Sequence, residues 1–416
     1  MLLSYLKIAW KVLLRRKFFT AISLFGISFT LMILLVVAAL YDHTVGPHTP
    51  EKRVDRMLFI TRMRLWAPGS QSNSNVGYSF LDRYVRTLRM PEKVAIATTD
   101  GGSVVAYVGN QKLKLDMRAT DGEFWQVLDF EFVAGRPYSV REVREAAHVA
   151  VINETTSRRY FGTVQGVIGR SLEADAMRYR VVGVVRDVPT TRHNSYSDLW
   201  IPITASTVNL KNPNYMGECI AIVLARRPAD VAAVQEEFRR VVRQVPVQDP
   251  KMFTEVRVYA EPLLTSILRE LTEEDGPDAG VGRFVGLTAG LSLLFMLLPA
   301  LNLVNLNVSR MLERSSEIGV RKAFGATNGT LVGQFLVENV FLTVLGGVLG
   351  LALAAGVLSL LNGSGLIDYA HFALNGRVFG VGLAAVLFFG MLSGVYPAYK
   401  MSKLPAVQAL KGGTNA

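Results

Sequence analysis

The chain has 416 residues, half of them hydrophobic, with 45 Lys and Arg against 34 Asp and Glu and a net charge of +11 at pH 7. Ten of those eleven net charges sit in residues 1–17, 309–330 and 400–416, so no basic patch remains to bind nucleic acid. One cysteine, Cys219, excludes an intrachain disulfide and leaves the folded part to be held by packing.

Residues 1–17 set Leu2, Leu3, Leu6, Trp10, Leu13 and Leu14 against Lys7, Lys11, Arg15 and Arg16, which suits a helix lying in the inner membrane interface. Residues 18–41 then run uncharged and apolar, long enough to cross a ~30 Å hydrocarbon core. That run is too long for a signal-peptide core and has no small-x-small cleavage pattern before Asp42, so it reads as an uncleaved anchor.

Residues 42–283 are nearly neutral, with 32 basic and 30 acidic side chains, and are long enough for one or two folded domains. The two ends of this region read alike. Alternation and turn signals predict a strand at Met57–Arg62, a helix at Tyr78–Leu88 and a strand at Lys93–Thr99; then a strand at Cys219–Ala225, an amphipathic helix at Pro228–Val245 and a strand at Phe253–Tyr259. Two such units point to a split α+β sandwich whose halves meet from distant parts of the chain. Between them, residues 110–215 turn β-rich, with strands at Val149–Asn153 and Tyr179–Val185, a short helix at Glu154–Phe161, and a polar stretch, Thr190–Ser197, predicted as a loop tip. Leu263, Leu264, Ile267 and Leu271 recur at helical spacing and predict a helical stalk that Gly276-Pro277 breaks.

Three further apolar runs follow at 284–309, 331–361 and 378–399, separated by a loop at 310–330 and a short one at 362–377. Because basic residues stay on the cytosolic side, both termini and the 310–330 loop are expected there, and residues 42–283 outside. Glu313 and Glu317 in that loop are not needed for topology, which points to a protein contact. Within the spans, Glu338, Asn302 and Asn305 are costly polar groups, expected to satisfy one another across a helix interface. Gly286/Gly290, Gly346/Gly350 and Gly390/Gly394 form G-x-x-x-G pairs that allow close helix packing.

Motifs for catalysis are missing from the sequence. There is no G-x-x-x-x-G-K-[ST] phosphate loop, no H-E-x-x-H and no G-x-S-x-G. The five histidines lack ligand spacing, and His43 and His48 read as interfacial rather than as metal ligands. No metal and no cofactor are expected.

Glu313-Arg-Ser-Ser-Glu-Ile-Gly-Val-Arg-Lys-Ala-Phe-Gly-Ala-Thr327, Gln334-Phe-Leu-Val-Glu338, Gly346-Gly-Val-Leu-Gly350 and the closing Tyr396-Pro-Ala-Tyr-Lys-Met-Ser-Lys-Leu-Pro-Ala-Val-Gln-Ala-Leu410 resemble the MacB/FtsX-type ABC transporter permeases. Val149-Ala-Val-Ile-Asn-Glu154, Arg159-Tyr-Phe-Gly162 and Tyr179-Arg-Val-Val-Gly-Val-Val-Arg-Asp-Val-Pro189 resemble the MacB-type periplasmic core domain. The resemblance implies a membrane α-helical bundle of four spans with a large α+β extracytoplasmic domain. That domain would comprise a porter-like part at 50–110 and 216–262, a β-rich sabre-like insertion at 111–215 and a stalk at 262–283. It makes 310–330 a coupling element in which Glu313, Arg314, Glu317, Ile318, Val320, Arg321 and Lys322 contact the ATPase.

The resemblance further implies a non-catalytic permease of the bacterial cytoplasmic membrane, transmitting ATP hydrolysis in a partner to its outer domain for export of peptide, antibiotic or lipid-type substrates. Its partners would be an ABC ATPase subunit, a second permease, identical or not, the lipid membrane and, where the family uses them, a periplasmic adaptor and outer-membrane channel. MacB carries a fused ATPase ahead of its first span, whereas seventeen residues precede it here, so a stand-alone permease is expected. Two other readings stay open, an FtsX-like scaffold that activates cell-wall hydrolases and a lipoprotein-release permease.

Overall fold

A computed structural model of the protein describes residues 10, 13–15, 17–99, 102–274, 278–313, 320, 323–325, 327–366, 368–370, 372–373, 376, 379–384, 387–388 and 391. They fall into two compact units, one built from residues 42–282 together with the segment around 368–370, the other from the remaining described residues.

Helix α1 (Lys17–Val45) contains the first predicted span and extends it at its C-terminal end. Beyond it, strands β1 (Met57–Ile60), β2 (Arg62–Ala67) and β3 (Ser70–Val76), helix α2 (Tyr78–Phe80) with a wider turn over Leu81–Val85, and β4 (Lys93–Thr98) open the core domain. Strands β5 (Ser103–Val108), β6 (Gln111–Thr120), β7 (Phe132–Gly135), β8 (Val149–Asn153), β9 (Ser171–Ala174), β10 (Met177–Val185) and β11 (Leu199–Pro202) follow, with α3 (Phe124–Val127), α4 (Val140–Arg144) and α5 (Glu154–Phe161) between them. The chain returns through β12 (Met216–Gly217), β13 (Cys219–Leu224), α6 (Val231–Arg243), β14 (Glu255–Val258) and α7 (Leu263–Thr272).

All six side chains of β13 are buried, and its backbone is paired on both edges: β4 along one and β1 along the other, both antiparallel. Phe59 of β1 exchanges backbone hydrogen bonds with Glu261, just beyond β14. The order β4–β13–β1 with the segment after β14 joins the two strand-helix-strand units into one sheet. Val234 and Phe238, one turn apart on α6, are buried, and Gln235 Nε2 donates to Ala260 O at 2.9 Å, fixing the helix beside β14. Burial of the Cys219 thiol at the start of β13 pushes it up to about 12, so the thiolate, the reactive form, is not populated at neutral pH.

The second group of strands closes on itself. In the order β6–β11–β8–β10–β9–β5, each strand pairs with the next and β5 returns to β6, with parallel pairs at β11–β6 and β8–β10. Strand β5 belongs to this closed group, ahead of residue 111 where composition places the insertion. Trp125, Phe130 and Trp200 pack edge-to-face or tilted at one end, with centroids 5.0–6.0 Å apart. Helix α5 forms where sequence predicts it: Asn153 accepts from Thr156 N at 2.7 Å as N-cap, and Gly162, at φ +77°, supplies the left-handed C-cap.

Helix α4 is only five residues long and depends on its cap. Ser139 and Glu142 form a reciprocal capping box, and both Glu142 oxygens meet Arg136, at 2.8 and 3.0 Å. The hydrogen bonds from Arg136, with those from Ser139, hold the Glu142 carboxyl down at about 2. A lowered folded-state pKa adds stability above the unfolded value near 4.5, which is lost as pH falls toward 2. Glu142→Gln is therefore expected to cost about 1 kcal/mol at pH 7 and much less at pH 2, where half of the carboxyls are already protonated. Parallel urea titrations of the two proteins at the two pH values check this; an equal deficit at both would remove the carboxylate from the account.

The predicted loop tip at 190–197 is a correction. Arg192, Ser195 and Ser197 are buried, not exposed. Arg192 reaches Glu51 Oε2 at 2.9 Å and Gly46 O at 2.7 Å, Ser195 Oγ donates to Glu51 Oε1 at 2.9 Å, and buried Arg118 donates to His193 O and Tyr196 O. Polar residues stay inside here because each meets a partner brought from elsewhere in the chain.

Helix α7 forms at the predicted stalk and stops at Thr272, where Glu273 takes a left-handed conformation; Gly276-Pro277 lies outside the described residues. Leu263 and Leu268 are buried and Leu271 is exposed, and Arg269 binds buried Glu261 at 2.6 Å. In the other unit, α8 (Val281–Glu313) and α9 (Asn328–Ser364) contain the second and third predicted spans. Of the fourth, 379–384, 387–388 and 391 are described and helical.

Candidate functional site: the helix contacts and the loop between α8 and α9

Thr327 caps α9, its hydroxyl accepting from Thr330 N at 3.3 Å, so the helix starts where a Thr replaces the run of charge. The connection from α8 is thus short. Glu313 is the last described residue of α8, and Arg314, Glu317, Ile318, Arg321 and Lys322 lie outside the described residues. Val320 and Phe324 are described: Phe324 N donates to Val320 O at 3.1 Å, a helical spacing that sets both on one side. Phe324 is 88 % exposed and Val320 45 %. Gly325 follows at φ +91°, a conformation that favours glycine and ends the turn. Sequence reasoning singled out the charges of this loop and passed over Phe324. The signal was there, a bulky aromatic directly before a glycine in an otherwise polar stretch.

The glycines on α9 touch α1. A Cβ on Gly346 would stand 2.7 Å from Ile27 Cγ2, and one on Gly350 2.8 Å from Ser28 O and 3.1 Å from Leu31 Cβ. Bare backbone at these two positions lets the helices meet, with Leu31, Leu35 and Ala354 buried beside them. Among the described residues a Cβ on Gly286 or Gly290 of α8 would meet nothing within 4 Å, and Gly390 and Gly394 lie outside the described residues. Glu338 accepts from Gln334 Nε2, one turn earlier on α9, at 2.9 Å. Asn302 and Asn305 lie on α8, their side chains outside the described residues. Among the described residues no group of three or more His, Cys, Asp or Glu could hold a metal ion; His48 instead meets Asp42 at 3.2 Å.

Residues 20–241, from α1 through most of α6, match the MacB-like periplasmic core domain, and residues 289–406, from α8 across the connecting loop and α9, match the FtsX-like permease C-terminal family. The chain belongs to the MacB/FtsX-type permeases. Among the described residues, two helices, Lys17–Val45 and Val332–Ser364, are long and apolar enough to cross a membrane. Among curated proteins, the "Pyoverdine export ATP-binding/permease protein PvdT" of Pseudomonas savastanoi pv. phaseolicola is 26% identical over 98% of this chain and 59% of its own length. The "Macrolide export ATP-binding/permease protein MacB" of Wolinella succinogenes is 24% identical over 98% of this chain and 61% of its own. The chain thus spans about three-fifths of the length of these relatives. The crystal structure of the periplasmic region of MacB from Actinobacillus actinomycetemcomitans covers 53% of this chain and 94% of its own, at 14% identity and a TM-score of 0.37.

Proposed function

We propose that this protein is the permease of an ABC transporter and works by mechanical transmission. ATP is bound and hydrolysed by an ABC ATPase, whose closure pushes on the 310–330 loop; α1, α8 and α9 carry that motion across the cytoplasmic membrane to the core domain, and the permease itself catalyses nothing and holds no cofactor. A pair of permeases completes the complex. In this reading the termini and the 310–330 loop face the cytosol, as their basic residues favour, and four spans form the bundle, the last of them at 378–399. The core domain then comprises porter-like and sabre-like parts outside the membrane.

The observation that carries this reading is the turn from Val320 to Phe324, which exposes an aromatic side chain inside the FtsX-like match, in a stretch whose sequence also holds Arg321 and Lys322. An apolar knob in a stretch of sequence rich in cations suits a groove with acidic rims on a partner. Buried hydroxyls within the spans bond to their own helix, Ser23 to Phe19 O and Ser28 to Phe25 O, which supports moving substrate outside the membrane rather than between the helices. Relatives named for pyoverdine and macrolide export favour a peptide, antibiotic or lipid-type substrate, handed to an adaptor and outer-membrane channel where these exist.

Arg321→Ala/Lys322→Ala and, separately, Phe324→Ala are expected to lower ATP-driven export by about tenfold or more, the loss of ~1.4 kcal/mol of coupling, while the ATPase goes on hydrolysing. Full export by both variants, in membranes where the protein is present at normal amount, would sink the proposal.

A further inference from the structure

The segment between the third and fourth predicted spans belongs to the core domain, although the chain on either side of it belongs to the other unit. Asp368 O accepts from Thr190 N at 3.3 Å and from Thr190 Oγ1 at 3.4 Å. Tyr369 Oη donates to Asp198 Oδ1 at 3.3 Å, its ring lies 6.2 Å from that of Tyr196, and Ala370 is buried. Tyr369 adopts φ +61°, a left-handed backbone that a non-glycine residue holds only when its surroundings fix it.

What receives this segment is already rigid. Asp198 accepts from Asn153 Nδ2 at 2.9 Å through Oδ1 and from Asp116 N at 3.0 Å through Oδ2, and Tyr196 Oη donates to Asp116 Oδ2 at 3.0 Å. The same loop, 190–198, grips the chain just after α1 through Arg192 and Ser195. One nine-residue loop therefore holds both the chain leaving the first span and the chain joining the third to the fourth.

We propose that residues 368–370 form a third, non-covalent tether on the core domain, with Tyr369 as its positioning residue and the 190–198 loop as the junction where this tether meets the 46–51 connection. The domain's two covalent connections, after α1 and before α8, are then not its only mechanical inputs: displacement of the link between the third and fourth spans reaches it directly. The part this tether plays in transport rests on the permease reading above; its existence does not.

Two measurements on the full chain in lipid nanodiscs test the tether without any ATPase, so they succeed or fail apart from the transport reading. Cys219 is fully buried and can stay in place. Thr190→Cys/Asp368→Cys is expected to form an intramolecular disulfide in most molecules under mild oxidation, since a backbone contact of this kind brings the two residues within disulfide range. A yield no higher than that of a Gln165→Cys/Asp368→Cys control overturns the docking. In hydrogen exchange, Tyr369→Ala is expected to speed exchange about tenfold across 190–198 and 46–51, with β8 and β10 unchanged, and Tyr369→Phe, which keeps the ring, to restore most of the protection. Faster exchange confined to 368–370, or spread evenly over the domain, overturns the junction.

Discussion

Replacing Arg192 with alanine is expected to cost the core domain about 3–5 kcal/mol, because it leaves the Glu51 carboxylate buried without its cation. Both side chains are essentially inaccessible, at 0% and 1% exposure, and Nη1 stands 2.9 Å from Oε2. The guanidinium also donates to Gly46 O, a half-buried acceptor that keeps its bond from His48 N at 3.0 Å, so the cost falls on Glu51. In a domain of this size each kcal/mol moves the melting temperature by about 2–4 °C, so differential scanning calorimetry is expected to show a fall on the order of 10 °C. Glu51→Ala is expected to do the same, and the double variant to lose less than the two losses added, since it removes both charges at once. By contrast Arg141→Ala, which breaks the exposed i,i+4 pair with Glu145, is expected to leave the melting temperature unchanged. If Arg192→Ala and Arg141→Ala behaved alike, burial would not be what makes the Arg192 pair matter.

The second large effect lies in the helix unit. Gly350→Val is expected to separate α9 from α1, since even its Cβ would stand 2.8 Å from the Ser28 carbonyl oxygen, a backbone atom that cannot rotate away. Overpacking of this kind costs about 1–3 kcal/mol, and the γ-carbons of valine add to it. The matched control is Gly356→Val on the same helix, where an added Cβ meets nothing within 4 Å. Heating detergent-solubilised protein and following the monodisperse fraction by size exclusion separates the two; equal losses would mean that the contact with α1 is not what the glycine serves.

The parts legible in the sequence were those whose physics is local. Strand β13 could be read because seven consecutive apolar residues, Cys219 to Ala225, are bounded by Gly217-Glu218 and Arg226-Arg227, a pattern suited to a strand covered on both faces. Helix α5 announced itself through Asn153 and Gly162 at its two ends. The 190–197 loop was misread because its composition is that of any exposed turn. Its burial depends on Glu51, 141 residues away from Arg192, and on Arg118, 75 residues away from His193, and nothing within the loop reports them.

The candidate site divides along the same line. G-x-x-x-G spacing pointed to Gly346 and Gly350, which do face α1, yet at Gly286 and Gly290 the same spacing meets no neighbour among the described residues, so spacing alone does not say where a partner helix lies. In the loop between α8 and α9, charge drew the reading toward Glu313 through Lys322. Phe324 is not among the residues that reading names, although the apolar Ile318 and Val320 are, because a sequence does not show whether a Phe is covered, and Phe324 is not.

The placement of β13 between β4 and β1 sets the order in which the core domain can be made. Arg56, at the edge of β1, hydrogen-bonds across 169 residues to Ala225, at the end of β13. A ribosome that has delivered β1 through β11 has supplied a first sheet without its central strand, whereas the closed group of β5, β6, β8, β9, β10 and β11 already has all its members. The later-starting half is therefore complete first, and the earlier half waits on a strand from far down the chain. Closing a loop of that length costs only about 0.6 kcal/mol more per doubling of its length, so the burden falls on time rather than on final stability. During that interval β1 and β4, apolar strands with an open edge each, lack the neighbour that covers them, and shielding that pair is the task synthesis sets for the nascent chain.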